Sequence, residues 1–132
     1  MELKLVECNE KYWKDIWEIR NFDKQGFVDQ KDIPIENHFE FMKKHCSSYR
    51  VCLKNNEFAG FIGLVNNDLR IAVGKNFKRK GIGKFMLNEF SNSFEINEAK
   101  VKIDNEASQK LFESCGYKKQ FIIYSKNETQ SF

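Results

Sequence analysis

The chain has 132 residues, 41% apolar and 31% charged, with a formal net charge of +3. That length supports one domain, over residues 1–132, with a working core. The balance is too weakly basic to argue nucleic-acid binding by itself, and no apolar run approaches the ~20 residues that span a bilayer. Cys8, Cys46, Cys52 and Cys115 stand far apart with no C-x-x-C pair, and only His38 and His45 are available to join them. Metal-ligand spacing is therefore absent. No signal peptide precedes the first cysteine, so reduced structural thiols in a cytoplasmic protein are expected.

Glu2 to Glu7 alternates apolar and polar residues and reads as a strand. Asn9 suits the N-cap of a helix through Arg20, with Trp13, Ile16, Trp17 and Arg20 on one face. Asn21 to Ile33 is polar and aperiodic and reads as a loop. Pro34 opens a second helix, striped by Ile35, Phe39 and Met42, that runs to His45. Tyr49–Lys54 and Glu57–Val65 read as strands joined by a hairpin at Asn55-Asn56. Asn66-Asn67-Asp68 is the next turn and Leu69–Val73 the next strand. A helix is expected from Gly81 to Ser93, a strand over Ala99–Asp104 and a helix over Asn105–Cys115 ended by Gly116. Tyr117–Ser125 reads as a last strand, and the polar tail from Lys126 as frayed. The order β-α-α-β-β-β-α-β-α-β predicts an α/β (α+β) domain, a mixed and mostly antiparallel sheet flanked by helices.

Between the fourth strand and the third helix lies Lys75-Asn76-Phe77-Lys78-Arg79-Lys80-Gly81-Ile82-Gly83-Lys84. A strand, a basic glycine loop and a helix together present free backbone N–H groups to a phosphate. It is not a Walker A loop, because no Ser or Thr follows Lys84. Nor is it a dinucleotide fingerprint, because Met86 stands at the third glycine. The bland reading is a strand-to-helix turn with a solvated basic rim.

A second segment decides between these. Asn105-Glu106-Ala107-Ser108-Gln109-Lys110-Leu111-Phe112-Glu113-Ser114-Cys115-Gly116-Tyr117 resembles the N-x-x-[AS]-x-x-L-Y-x-x-x-G-[FY] signature of the GNAT superfamily of acyl-CoA-dependent N-acyltransferases. The loop after Arg70-Ile71-Ala72-Val73 resembles that family's [QR]-x-x-G-x-[GA]. The resemblance covers about residues 57–124 and implies a GNAT-like fold with acetyl-CoA as co-substrate and no metal. It implies that Lys78, Arg79, Lys80, Gly81, Ile82, Gly83 and Lys84 hold the diphosphate, and that Ile71, Ala72 and Val73 meet the pantetheine arm. It also places Asn105 and Phe112 at the cofactor. Asn105 equally suits the N-cap of its helix. Lys78 departs from the usual Gln or Arg. Phe112 stands where many members carry a Tyr that protonates the leaving thiolate, and Phe has no proton to give. Either Ser114, Cys115, Tyr117 or water serves instead, or thiolate departure needs no protein acid, or the chain is not a catalyst.

Transfer to an amine needs a neutral nitrogen, hence a base or a water chain. Asp68, Glu57, Asp104 and His38 are candidates, each with an ordinary solvated role as the alternative. Asp68, His38 and Ser114 are the catalytic expectations. A strand-four N–H near Ala72 or Val73 is expected to meet the carbonyl oxygen. Trp17-Glu18-Ile19-Arg20-Asn21 followed by His38 is similar to a W-x-x-R-N … H pattern in GNATs that acetylate amino sugars on nucleotide carriers. On that likeness Trp17, Arg20, Asn21 and His38 are acceptor residues. The expected partner is thus a small-molecule amine, not nucleic acid or membrane, with the protein a monomer or homodimer. Acetylation of a protein amine, or acyl-CoA binding without turnover, are the competing functions.

Overall fold

A computed structural model describes residues 2–22 and 33–126. Of the loop expected at 21–33, residues 23–32 lie outside these, as does the tail beyond Lys126; Asn21 and Phe22 instead continue the first helix by half a turn. Four strands form one antiparallel sheet in chain order: β1 (Leu3–Glu7), β2 (Tyr49–Lys54), β3 (Glu57–Val65) and β4 (Asp68–Val73). Helices α1 (Trp13–Phe22) and α2 (Ile35–His45) separate β1 from β2; α3 (Ile82–Phe90) and α4 (Glu106–Ser114) follow β4.

Both hairpins turn on paired asparagines in the left-handed region. Asn55 and Asn56 have φ of 50° and 69°, and Asn66 and Asn67 have φ of 53° and 63°. Two-residue turns of this type match the twist of the flanking strands, and Asn tolerates the conformation better than most residues. The register follows: Lys54 pairs with Glu57, and Val65 with Asp68.

Helices cover both faces of the sheet, which is why β3 is buried from Ala59 to Gly63. On one face Trp13, Ile16 and Met42 of α1 and α2 pack on Tyr49, Val51, Phe61 and Val65. On the other, Ile82, Met86, Leu87 and Phe90 of α3 and Phe112 of α4 pack on Cys52, Ile62 and Leu69. The four cysteines are free thiols.

The helices, the antiparallel sheet and the α+β class agree with the sequence. The two C-terminal strands do not form. Residues 99–104 and 117–125 make no ladder, and among the described residues the sheet is wholly antiparallel. A ladder needs free backbone groups, and at the end of the first segment and the start of the second some are engaged locally. The Lys102 carbonyl accepts from Asn105 N–H at 2.9 Å, and the Ile103 carbonyl from Gln109 Nε2 at 2.8 Å. Tyr117 N–H donates back to Phe112 at 3.0 Å. Phe121 to Tyr124 beyond it are exposed. Strand propensity alone does not bring these segments to the open edge of β4.

Candidate functional site

The loop from Gly74 to α3 is built to leave donors open. Gly74 N–H closes the β3–β4 ladder on the Ala59 carbonyl at 2.7 Å. In an antiparallel strand successive residues address opposite edges. Ala72 therefore faces β3, as its carbonyl beside Gly60 confirms, while the N–H groups of Ile71 and Val73 face the outer edge of β4. No strand pairs with that edge among the described residues. Of the two strand-four N–H groups expected to serve, that of Val73 faces the open edge and that of Ala72 faces β3.

A short turn, Lys75–Phe77, carries the chain into the basic segment. Arg79 and Gly81 take positive φ, 64° and 76°, with Lys80 between them at negative φ. Alternation of this kind turns consecutive N–H groups toward one point, an anion-binding concavity. For Arg79 the left-handed conformation costs on the order of 1–2 kcal/mol. Gly81 is the N-cap of α3 and no side chain caps the helix. The N–H groups of Gly81, Ile82, Gly83 and Lys84 have no partner among the described residues. Their partial positive charge is reinforced by exposed cations, for Lys75, Arg79, Lys80 and Lys84 make no ion pair among the described residues. A diphosphate fits this arrangement of orphan donors and unneutralised charge.

The two glycines have different tasks. A Cβ on Gly81 would meet nothing within 4 Å, so its backbone is open to a ligand. A Cβ on Gly83 would stand 3.3 Å from Leu111 Cδ2. Gly83 therefore sets the close approach of α3 to α4, a role not separable from the first in the sequence.

In the second signature, Asn105 is buried and its side chain accepts from Ser108 N–H at 3.1 Å, capping α4. Phe112 is buried in the core, edge-on to Tyr117 at 5.4 Å. Tyr117 Oη donates to the Ile96 carbonyl at 3.4 Å, and burial raises its pKa. Ser114 Oγ donates to the Leu111 carbonyl at 2.7 Å and lies 3.9 Å from Cys115 Sγ. Its hydroxyl proton is thus engaged within its own helix.

The acceptor residues divide in the same way. Trp17 Nε1 and Asn21 Nδ2 donate to the Ile33 carbonyl at 2.7 and 3.2 Å, and Ile33 N–H donates to Asn21 Oδ1 at 2.9 Å. These side chains tie the end of α1 to the start of α2. His38 is fully buried, and its Nε2 donates to the Trp13 carbonyl at 2.8 Å. Burial lowers its pKa to about 4, helped by the field of Arg20 and opposed by the Trp13 hydrogen bond. It is neutral at neutral pH, with Nδ1 an unpartnered acceptor. Asp68 is half-buried and pairs with Arg70 Nε at 3.4 Å.

One cluster has no strong sequence signal. Tyr49, Gly63 and Arg70 lie directly opposite one another across β2, β3 and β4. A Cβ on Gly63 would stand 2.7 Å from the Tyr49 ring, so the missing side chain lets that ring lie across β3. Its hydroxyl comes beside Arg70 without hydrogen-bond geometry and has no partner among the described residues. The Arg20 and Arg70 guanidiniums both sit over the Phe41 ring of α2, 5.6 and 5.1 Å from its centroid. Burial raises the Tyr49 pKa, and the two arginines oppose the shift. Gly63 and the Phe41 ring, neither marked as functional in the sequence, join these positions.

Among the described residues no group of three or more His, Cys, Asp or Glu side chains comes together to hold a metal. Nor is any helix among them long and apolar enough to cross a membrane.

Known proteins agree with this geometry. A family model described as the acetyltransferase (GNAT) family matches residues 13–117. No curated protein matches significantly. Among solved structures, yncA of Salmonella typhimurium with its cofactor acetyl-CoA is 15% identical at a TM-score of 0.73, covering 88% of this chain and 79% of that one. Spermidine N-acetyltransferase of Vibrio cholerae in complex with CoA and spermine is 16% identical at 0.71, covering 86% and 79%. Diaminobutyrate acetyltransferase EctA of Paenibacillus lautus, with its substrate L-2,4-diaminobutyric acid and coenzyme A, is 19% identical at 0.67, covering 86% and 74%. At these identities the likeness is one of fold.

Proposed function

The chain belongs to the acetyltransferase (GNAT) family, and from that premise we propose that it acetylates the primary amine of a small molecule. An amino sugar or sugar nucleotide is the first acceptor class to test. The observation that carries this reading is the uncapped N-terminus of α3 at the end of a strand with an unpaired edge. Acetyl-CoA supplies a thioester whose C–S bond breaks as the acceptor nitrogen bonds to the carbonyl carbon. The donors at Gly81 to Lys84 hold the diphosphate, with Lys78, Arg79 and Lys80 supplying charge. Ile71 and Val73 offer outward N–H groups to the pantetheine amides and the carbonyl oxygen. Asp68, five residues before Val73 on the same strand, is the proposed final acceptor of the amine proton, reached through a water chain rather than by direct contact.

Phe112 leaves no phenol at the position of the usual proton donor. A thiol has a pKa near 8.5, so departure as thiolate near neutral pH needs no protein acid. The amino-sugar preference rests on the Trp17 to Asn21 pattern, within which the donors of Trp17 and Asn21 also hold Ile33. The proposed setting is the cytoplasm, as a single-domain monomer or homodimer.

Calorimetric titration with acetyl-CoA tests the donor half; no heat at high micromolar concentration overturns it. Free-thiol release against an amine panel tests the transfer half. Binding without release with any amine would leave an acyl-CoA-binding module.

A further inference from the structure

The geometry points to a subsite for an anionic group of the acceptor, a carboxylate or a phosphate monoester, formed by Arg70, Arg20 and the Tyr49 hydroxyl against Phe41. This deepens the proposed function and rests on it. The first ground is the unpartnered hydroxyl. Tyr49 is fully buried, and its Oη has no hydrogen bond among the described residues. A buried polar group left unsatisfied costs about 1–3 kcal/mol, and such groups call for an explanation.

The second ground is charge. Arg70 and Arg20 converge on one aromatic ring. The carboxylate of Asp68 meets Arg70 at Nε, and no residue among those described hydrogen-bonds the rest of that guanidinium. Arg70 is partly open, with 24% of its side chain exposed. A guanidinium presents a planar fork matched to carboxylate and phosphate oxygens. An anion on the open side of Arg70 takes its fork, lies near the buried Tyr49 hydroxyl and feels the charge of Arg20.

The third ground is position. Arg70 precedes Val73 by three residues on β4, about 10 Å along the strand. An acceptor whose anion meets Arg70 can direct an amine several bonds away toward the outer edge of β4. Gly63 is what makes the site, since any side chain there would displace the Tyr49 ring.

The test uses matched amines that differ only in the anion: 5-aminopentanoate against pentylamine, and glucosamine 6-phosphate against glucosamine. The two pairs separate carboxylate from phosphate. The charged member of one pair is expected to have a KM at least tenfold lower. Arg70→Gln should abolish that advantage, read as the ratio of KM values within each pair so that any effect through its partner Asp68 cancels, while leaving acetyl-CoA titration unchanged, and Tyr49→Phe should reduce it a few-fold. Thermal shift by the charged amines without acetyl-CoA, present in wild type and lost in Arg70→Gln, reads binding apart from turnover. Arg70→Lys keeps the charge but not the fork, and should recover part of the advantage if Arg70→Gln misfolds. Turnover of neutral amines as good as charged ones overturns the subsite and leaves the acetyltransferase reading standing. Failure to bind acetyl-CoA overturns both.

Discussion

The chain contains two helix N-termini with opposite treatment. At α4 the sequence closes the end itself: Asn105 caps Ser108 N–H, and Glu106 places an acid in the first turn. At α3 nothing closes it: the cap is Gly81 in a left-handed conformation, no acid lies in the first turn, and the approach is cationic. Orphan N–H groups want an acceptor in either case. Where the chain supplies one the terminus is closed by the protein itself; where it withholds one and adds positive charge, the terminus is left open to a ligand's anion.

The sharpest way to break this contrast is to give α3 its own anion. Gly81→Asp puts a carboxylate where the diphosphate is placed, at a position whose φ Asp tolerates better than most residues. Charge-assisted hydrogen bonds are worth about 1.5–3 kcal/mol each, so losing two should weaken acetyl-CoA binding by about a hundredfold or more. Titration calorimetry reads it. Unchanged affinity would mean that α3 is as structural an end as α4.

The converse is to open α4. Asn105→Ala removes the cap and should cost about 1 kcal/mol in stability, read from the urea midpoint. Asn105→Asp keeps an acceptor and should restore most of it. If either substitution also lowers acetyl-CoA affinity, Asn105 serves the cofactor as well as the helix, and the division between the two ends is incomplete.

How much of this was legible depended on whether function resided in local backbone chemistry. The Asn-Asn turns, the meander and the basic loop were readable, because each is set by a few adjacent residues. The contacts of Trp17, Asn21 and His38 were not, because the Ile33 and Trp13 groups they meet are remote in sequence. Arg70 and Tyr49 were missed for a related reason: they face each other across a glycine on the intervening strand. The strands at 99–104 and 117–125 had good composition, but ladder formation depends on neighbours that composition does not describe.

Gly83→Ala sharpens the contrast on a smaller scale. The added methyl presses the flexible end of Leu111 at 3.3 Å, while Ala improves helix propensity by up to about 1 kcal/mol. These oppose each other, so stability should stay within about 0.5 kcal/mol of wild type by denaturant titration. Acetyl-CoA affinity should not move, because the amide remains. A large loss of affinity would return Gly83 to the role its sequence suggested.

The smallest effect is expected at Phe112, inside α4 and away from its cap. Phe112→Tyr adds a hydroxyl to a ring buried against Tyr117. If the ring's para position faces the departing sulfur, the phenol gains a partner and supplies a proton, and kcat rises. If it faces the core, the hydroxyl is unsatisfied and costs about 1–3 kcal/mol in stability. Because thiolate departure needs little help near neutral pH, kcat should change by no more than about threefold, the change expected of a step that is not strongly limiting. Steady-state thiol release across pH 6 to 9 separates the cases. A gain confined to the low-pH side marks the phenol as a proton donor, and it would make α4 a contributor to the chemistry rather than only a closed structural helix.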